Sequence, residues 1–188
     1  VFCEEAQAIS RLRQYTGQTR EAHALDTQQT QAIKAIQAAW KEKNVTLLHG
    51  VTSSGKTEVY IHLSEEAIRQ GKQVLYLIPE IALTSQIVNR LRKFFGDRVG
   101  VYHSRFNEYE RVEIWNRVLN QHKEGNLNTK YQLILGARSA LLLPYQNLGL
   151  IIVDEEHDGS YKQIDPAPRY HARDGAVVLA KIHQCKVL

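Results

Sequence analysis

Eight consecutive residues, Gly50-Val51-Thr52-Ser53-Ser54-Gly55-Lys56-Thr57, follow the pattern G-x-x-x-x-G-K-T. Small residues let backbone N–H groups curl around an anion, and a helix opening behind them aims its positive end at the same point. Such a loop suits the phosphates of ATP. The backbone of Gly50, Thr52, Ser53, Ser54 and Gly55 forms the cradle, Lys56 reaches the β- and γ-phosphates, and the Thr57 hydroxyl ligates Mg²⁺. A second cluster lies in LGLIIVDEEHD, residues 148–158. Asp154 sits where a carboxylate can hold Mg²⁺ directly or through water, and Glu155 can polarise an attacking water as general base. Two carboxylates near one metal divide the work, because the ion keeps one ionised and leaves the other for the proton. His157 is either a relay from the γ-phosphate or a surface histidine, with no second soft ligand nearby in sequence for zinc.

These residues need elements to position them. VTLLHG, 45–50, reads as a buried strand feeding the phosphate loop, and a helix follows to Gln70 with Gly71 in the C′ position. QVLYLI (73–78), VGVYH (99–103), YQLILG (131–136) and LGLIIVD (148–154) read as further strands, and the terminal KVL as the start of one more. Asp26 or Thr27 caps a helix through Lys43 with Ile33, Ile36 and Trp40 on one face. IALTSQIVNRLRKFFG predicts a helix ending at Gly96, Asn107 caps one reaching about Lys123, and RYHARDGAVVLAKIH gives the last. GNLNTK, 125–130, is the most loop-like internal stretch. The strands are apolar runs rather than alternations, and helices separate most of them. That pattern implies α/β architecture, a parallel sheet covered on both faces.

Composition excludes more than it selects. The 188 residues, 43% hydrophobic and 23% charged, suit one soluble domain. No apolar run approaches 18 residues, so no membrane span is expected, and the charged N-terminus lacks the features of a signal peptide. Cys3 and Cys185 form no metal-ligand spacing and read as free thiols of a reducing cytoplasm. The net charge of +4 permits a polyanionic partner without arguing for one.

The combination of GxxxxGKT with DEEH resembles the first RecA-like lobe of superfamily 2 helicases. Five further blocks narrow the resemblance to the primosomal replication-restart helicases: IPEIALTSQ, HS followed by ERVEIW, GARSALLLP, LGLIIVDEEHDGSYKQ and PRYHARD. It spans roughly residues 25–188, the helicase ATP-binding lobe, while residues 1–24 match no motif and read as a connector or peripheral segment. Ser53 stands where the family usually has glycine, and Ala137 where threonine is usual.

The resemblance implies a three-layer RecA-like P-loop NTPase fold and an ATP-driven, Mg²⁺-dependent 3′-to-5′ DNA helicase that restarts stalled replication forks. Gln29, in LDTQQ, reads the adenine edge in such motors. Pro79, Glu80, Thr84 and Gln86, with Gly136 to Ala140, match motifs that touch the DNA backbone, and Arg138 and Ser139 are expected nearest a phosphate. Residues 158–173 resemble an aromatic-rich loop whose Tyr161, Lys162, Arg169, Tyr170, His171 and Arg173 suit base stacking plus phosphate contact. That loop is expected to couple DNA engagement to the DEEH segment. Implied partners are single-stranded and forked DNA, the primosome and single-strand-binding proteins, with no membrane. The chain ends at KVL, before the second RecA-like lobe and the family's cysteine clusters. Zinc is therefore expected in the full-length protein and not in these residues, which read as an excised lobe with negligible turnover alone.

Several residues invite simpler readings. Trp40 and Trp115 lie on apolar helix faces and read as core, and Arg90, Arg92 and Lys93 as a solvated face. His103 and Ser104 are adjacent on a strand and point to opposite faces, which argues against a nucleophile–base couple. Two other functions stay open: a P-loop ATPase that does not act on DNA, and a non-catalytic DNA or primosome interaction module. The first leaves IALTSQ and GARSA unexplained, and intact Lys56, Thr57, Asp154 and Glu155 count against the second.

Overall fold

The computed structural model describes residues 15, 17–20, 24–51, 54–103, 106–119 and 131–188. Strands β1 (Gln73–Leu77), β2 (Val99–Tyr102), β3 (Leu133–Gly136), β4 (Leu148–Val153) and β5 (Lys186–Val187) form one sheet in the order β2-β3-β1-β4-β5. Every pairing is parallel. β1 and β3 are buried along their whole length, which explains why their sequences are continuous apolar runs.

Helices cover both faces. α1 (Thr27–Ala39), α2 (Lys56–Arg69) and α3 (Ser85–Phe95) bury Ile36, Ile61 and Leu91 in one core, against Val74, Tyr76, Leu135 and Ile152 of the sheet. α4 (Glu108–Leu119) and α5 (Ala172–His183) bury Ile114, Val118, Ala172, Ala176 and Ala180 in the other, against Leu75, Leu77, Ile134 and Ile151. The alternation of sheet residues between the two cores is the period-two geometry of a strand. No helix among the described residues is long and apolar enough to cross a membrane.

The local signals for helix ends hold. Asp26 accepts from Gln29 N–H at 2.7 Å while Asp26 N–H donates to Gln29 Oε1 at 3.0 Å, a reciprocal capping box. Gly71 takes φ +74, the left-handed geometry that closes α2. Asn107 and Glu110 cap α4 in the same reciprocal way. Its expected extension to Lys123, the loop 125–130, Cys3, Thr52, Ser53 and Ser104 all lie outside the described residues.

Four expectations need correction. The run 45–50 is not a strand: Val45 makes an isolated parallel bridge to Val187, and Leu47 is 71% exposed. β5 offers this edge only two residues, so the ladder stops after one bridge, held by Thr46 N–H to Val187 O at 3.0 Å. α1 stops at Ala39 rather than Lys43, because Lys186 Nζ donates to the Lys43 carbonyl and to Asn44 Oδ1, drawing the chain toward β5. The helix foreseen from Ile81 splits into a 3-10 turn at Glu80–Ala82 and α3, with Thr84 extended between them. Trp115 is 45% exposed, since Ile114 and Val118 take the buried side of α4, whereas Trp40 does pack partly against the core.

Candidate nucleotide site and the adjoining loop

α2 opens directly at Lys56, with Gly55 as its N-cap at φ +78. Gly55 offers no side-chain cap, so the first turn of α2 presents backbone donors to whatever anion approaches. A Cβ at this position would collide with Gln29 Nε2, which donates to the Gly55 carbonyl at 3.4 Å. Gln29 thus lies beside the GxxxxGKT loop, with its amide shared between Gly55 and the capping box. Thr57 lies in the same first turn.

β4 delivers the acidic residues to the same place. Lys56 Nζ donates to the Gly50 carbonyl at 2.8 Å and lies 3.7 Å from Glu155 Oε1. Glu155 Oε2 lies 3.8 Å from His157 Nε2, whose side chain is 75% exposed. Glu155 adopts φ +48, an uncommon conformation for a residue with a side chain and one that recurs at functional sites. The structure therefore brings Gly50, Gly55, Lys56, Thr57, Asp154, Glu155 and Gln29 to one edge of the sheet. That is where ligands bind in open α/β folds.

Asp154 is enclosed by tyrosines. Tyr76 of β1 donates to Oδ2 at 3.0 Å, and Tyr60 of α2 lies 3.4 Å from Oδ1. The Glu155 N–H reaches the same Oδ1 at 3.1 Å. Tyr161 donates to the Asp154 backbone carbonyl at 2.7 Å. Burial pushes the Asp154 carboxyl above its ordinary range; the Tyr76 hydrogen bond opposes the rise and the Glu155 charge adds to it. Burial and the charge of Asp154 together hold the Tyr60, Tyr76 and Tyr161 hydroxyls well above the usual phenol range, so all three remain donors at neutral pH. A half-buried carboxylate at a strand end, facing a lysine and an uncapped helix start, fits a Mg²⁺-nucleotide. Thr57 and Asp154 are the groups that would hold the ion.

The segment after β4 folds back on itself. Lys162 and His171 form an antiparallel bridge, and Gln163 N–H donates to the Tyr170 carbonyl at 2.8 Å. Arg138 Nη1 donates to the carbonyls of Ser160 at 3.3 Å and Lys162 at 3.0 Å, and Tyr170 donates to the Arg138 carbonyl at 3.4 Å. Arg138 thus engages the backbone of this segment through Nη1. Tyr161 is 1% exposed, so its ring has no face for a base, which corrects its expected stacking role. Arg173 pairs with Asp174 and Glu156. Lys162 and Arg169 are exposed, and Tyr170 and His171 are partly buried. Glu80, Ala137, Arg138, Ser139 and Ser160 line a cleft of about 70 Å³, which brings three of the helicase-like blocks together. Pro79, Thr84 and Gln86 lie in the adjoining segment, with Thr84 and Gln86 exposed and Pro79 buried.

Sequence reasoning missed Tyr60 and Tyr76. The available signal was a tyrosine inside the aliphatic run QVLYLI, since a buried phenol needs a partner for its hydroxyl. It also missed the pair between Arg90 and Glu58 at 2.5 Å, which gives part of a presumed solvated face a defined partner. His103 stacks on Phe106 with ring centroids 4.0 Å apart.

The chain is 45% identical over 147 residues to the replication restart protein PriA of Bacillus subtilis, covering 78% of this chain and 17% of that protein. It is 48% identical over 145 residues to PriA of Haemophilus influenzae, covering 77% and 19%, and 45% identical over 170 residues to PriA of Chlamydia muridarum, covering 89% and 22%. The chain thus spans about a fifth of the length of these curated relatives. Among solved structures it resembles the UvsW helicase of bacteriophage T4, with TM-score 0.56 and 14% identity over 94% of this chain and 55% of that one. It also resembles a nuclease-deletion mutant of the Type ISP restriction-modification enzyme LlaGI in complex with a DNA substrate mimic. There the TM-score is 0.57 at 15% identity, over 88% of this chain and 17% of that one. Both likenesses establish the RecA-like fold. The DEAD/DEAH box helicase family model matches residues 26–177, most of the chain, and the chain belongs to that family.

Proposed function

We propose that these residues form the ATP-binding lobe of a DNA helicase that restarts stalled replication forks, with ATP hydrolysis coupled to 3′-to-5′ movement on single-stranded DNA. The observation that carries the reading is the convergence of Lys56 from α2 and Glu155 from the end of β4, 3.7 Å apart. Lys56 exchanges the Gly50 carbonyl for phosphate oxygens and offsets their charge. Glu155 orients the attacking water and accepts its proton. Thr57 and Asp154 hold Mg²⁺, which when bound neutralises developing phosphate charge. His157, beside Glu155, is placed to sense the γ-phosphate. Gln29 supports the loop and reads the base. Arg138 and Ser139, with Pro79, Glu80, Thr84 and Gln86, form the DNA-facing edge with exposed Lys162, Arg169 and Arg173.

Arg138 and Tyr161 are the mechanical link in this reading. Arg138 grips the carbonyls on either side of Tyr161, and Tyr161 grips the carbonyl of Asp154. DNA that pulls on Arg138 therefore displaces the carboxylate edge. The proposal extends to a cytoplasmic primosome with single-strand-binding protein as a neighbour, and to a second lobe that completes the ATP cleft. A transition-state cation supplied from such a lobe contributes roughly 10³ to 10⁵ in rate in related phosphoryl transfer, so these residues alone turn over negligibly.

The test is ATP hydrolysis by the full-length protein, with and without single-stranded DNA, for wild type and Glu155→Gln. Removing a general base costs about 10² to 10⁴ in rate, so DNA-stimulated turnover that collapses in the variant supports the proposal. Turnover indifferent to DNA identifies an ATPase that does not act on DNA. No turnover in the wild type identifies an interaction module.

A further inference from the structure

Asp154 is held from three directions by atoms that come from three separate parts of the chain. Tyr76 sits in β1, the strand next to β4, in register with Ile152. Its hydroxyl reaches Oδ2 at 3.0 Å. Tyr60 comes from α2, one turn beyond Thr57, and its hydroxyl lies 3.4 Å from Oδ1. The two rings brace each other edge to face, centroids 5.6 Å apart at 76°. The Tyr76 ring is fully buried, so its hydroxyl has little freedom to leave the carboxylate.

A carboxylate has about four acceptor directions. Here three are taken, by Tyr76, Tyr60 and the Glu155 N–H, and the plane of the group is fixed. Without Tyr76, χ2 of Asp154 is a broad, two-fold torsion with one oxygen untethered. Groups that orient a metal ligand are as much a part of a metal site as the ligand itself.

We propose that Tyr76, with Tyr60 in support, is a positioning residue that presets the Asp154 carboxylate for Mg²⁺. This rests on the reading of Asp154 as a holder of the ion. The arrangement also ties the site to α2: any shift of that helix when phosphate enters its first turn alters the longer Tyr60 contact, while Tyr76 holds from the rigid sheet.

The experiment measures binding of a fluorescent ATP analogue to the full-length protein, first in EDTA and then across a Mg²⁺ series, for wild type, Tyr76→Phe and Asp154→Asn. Phenylalanine keeps the ring and removes one hydroxyl. Tyr76→Phe is expected to raise the Mg²⁺ concentration for half-effect about tenfold, in line with the loss of other groups that orient metal ligands, and to leave binding in EDTA unchanged. A Tyr76→Phe series superimposed on wild type, with Asp154→Asn having lost its Mg²⁺ response, overturns the role of Tyr76 alone. An Asp154→Asn series identical to wild type overturns the reading of Asp154 and the inference with it. Weakening of Tyr76→Phe by the same factor with and without Mg²⁺ shows a merely structural tyrosine and overturns the inference. Should Tyr76→Phe fail to fold, Tyr60→Phe is read by the same criteria, with a smaller expected shift because its contact is longer.

Discussion

The guanidinium of Arg138 lies 3.0 Å from the carbonyl of Lys162 and 3.3 Å from that of Ser160, so one side chain holds both ends of the turn that carries Tyr161. Charged donors to backbone oxygen contribute roughly 1.5–3 kcal/mol each where water is excluded, and less at an exposed site such as this. Arg138→Ala is therefore expected to loosen the turn without unfolding the lobe. In the full-length protein, DNA-stimulated ATP turnover falls about tenfold or more, and basal turnover falls less. Steady-state turnover with and without single-stranded DNA checks this; an equal fall in both would deny the link.

Asp154 sets up a trade between stability and function. Its folded-state carboxyl binds a proton more readily than the unfolded one, mainly through burial. The stability it contributes is complete below the ordinary carboxylate range and is lost as pH rises through the raised folded value. Asp154→Asn is neutral at every pH, but its one oxygen can accept from Tyr76 or from the Oδ1 donors and not from both. Without nucleotide or Mg²⁺, the melting temperature of the variant relative to wild type is expected to be higher at pH 7 than at pH 4. Thermal melts at both pH values decide, and a relative melting temperature that rises on acidification refutes the prediction.

Gly55 carries two separate constraints. Its φ of +78 favours glycine, and a Cβ there would meet Gln29 Nε2. A left-handed conformation costs an L-residue roughly 1–2 kcal/mol. Gly55→Ala should lose about that much stability together with nucleotide affinity. Adding Gln29→Ala removes the collision and leaves the backbone strain but also removes half of the capping box, so Gly55→Ala is expected to cost less in a Gln29→Ala background than in wild type. Chemical denaturation of both single variants and the double variant tests it, and the absence of any cost in that background would show that strain contributes nothing.

What the sequence revealed and what it concealed follow from the range of the forces involved. Asp26, Gly71 and Asn107 end or begin helices through contacts within a few residues, and those ends were legible. Continuous apolar strands announced a sheet buried on both faces, and the type and spacing of GxxxxGKT and DEEH marked the two segments that the fold brings together at Lys56 and Glu155. Residues 45–50 have the composition of a strand, yet a strand also needs a neighbour, and β5 supplies one for a single bridge. The orientation of Asp154 depends on Tyr60 and Tyr76, 94 and 78 residues away in the chain, where no local pattern marks the meeting. Tyr161 looked like a stacking aromatic because its neighbours are polar and basic. Its burial comes from joining the core on the α4/α5 face of the sheet, a tertiary contact that sequence periodicity does not encode.

The order β2-β3-β1-β4-β5 has a consequence during synthesis. The central strand, QVLYL, emerges long before either of its partners, β3 and β4, has been made. At roughly 5–20 residues per second the wait lasts several seconds. Throughout it, an uncharged β-forming segment has two open hydrogen-bonding edges, the profile of an aggregation-prone stretch. Helices α2 and α3, which flank it in the chain, can form locally and shield one of its faces. Its edges stay open until β3 and then β4 arrive, so the strand beneath the candidate nucleotide site waits for a partner on both sides at once.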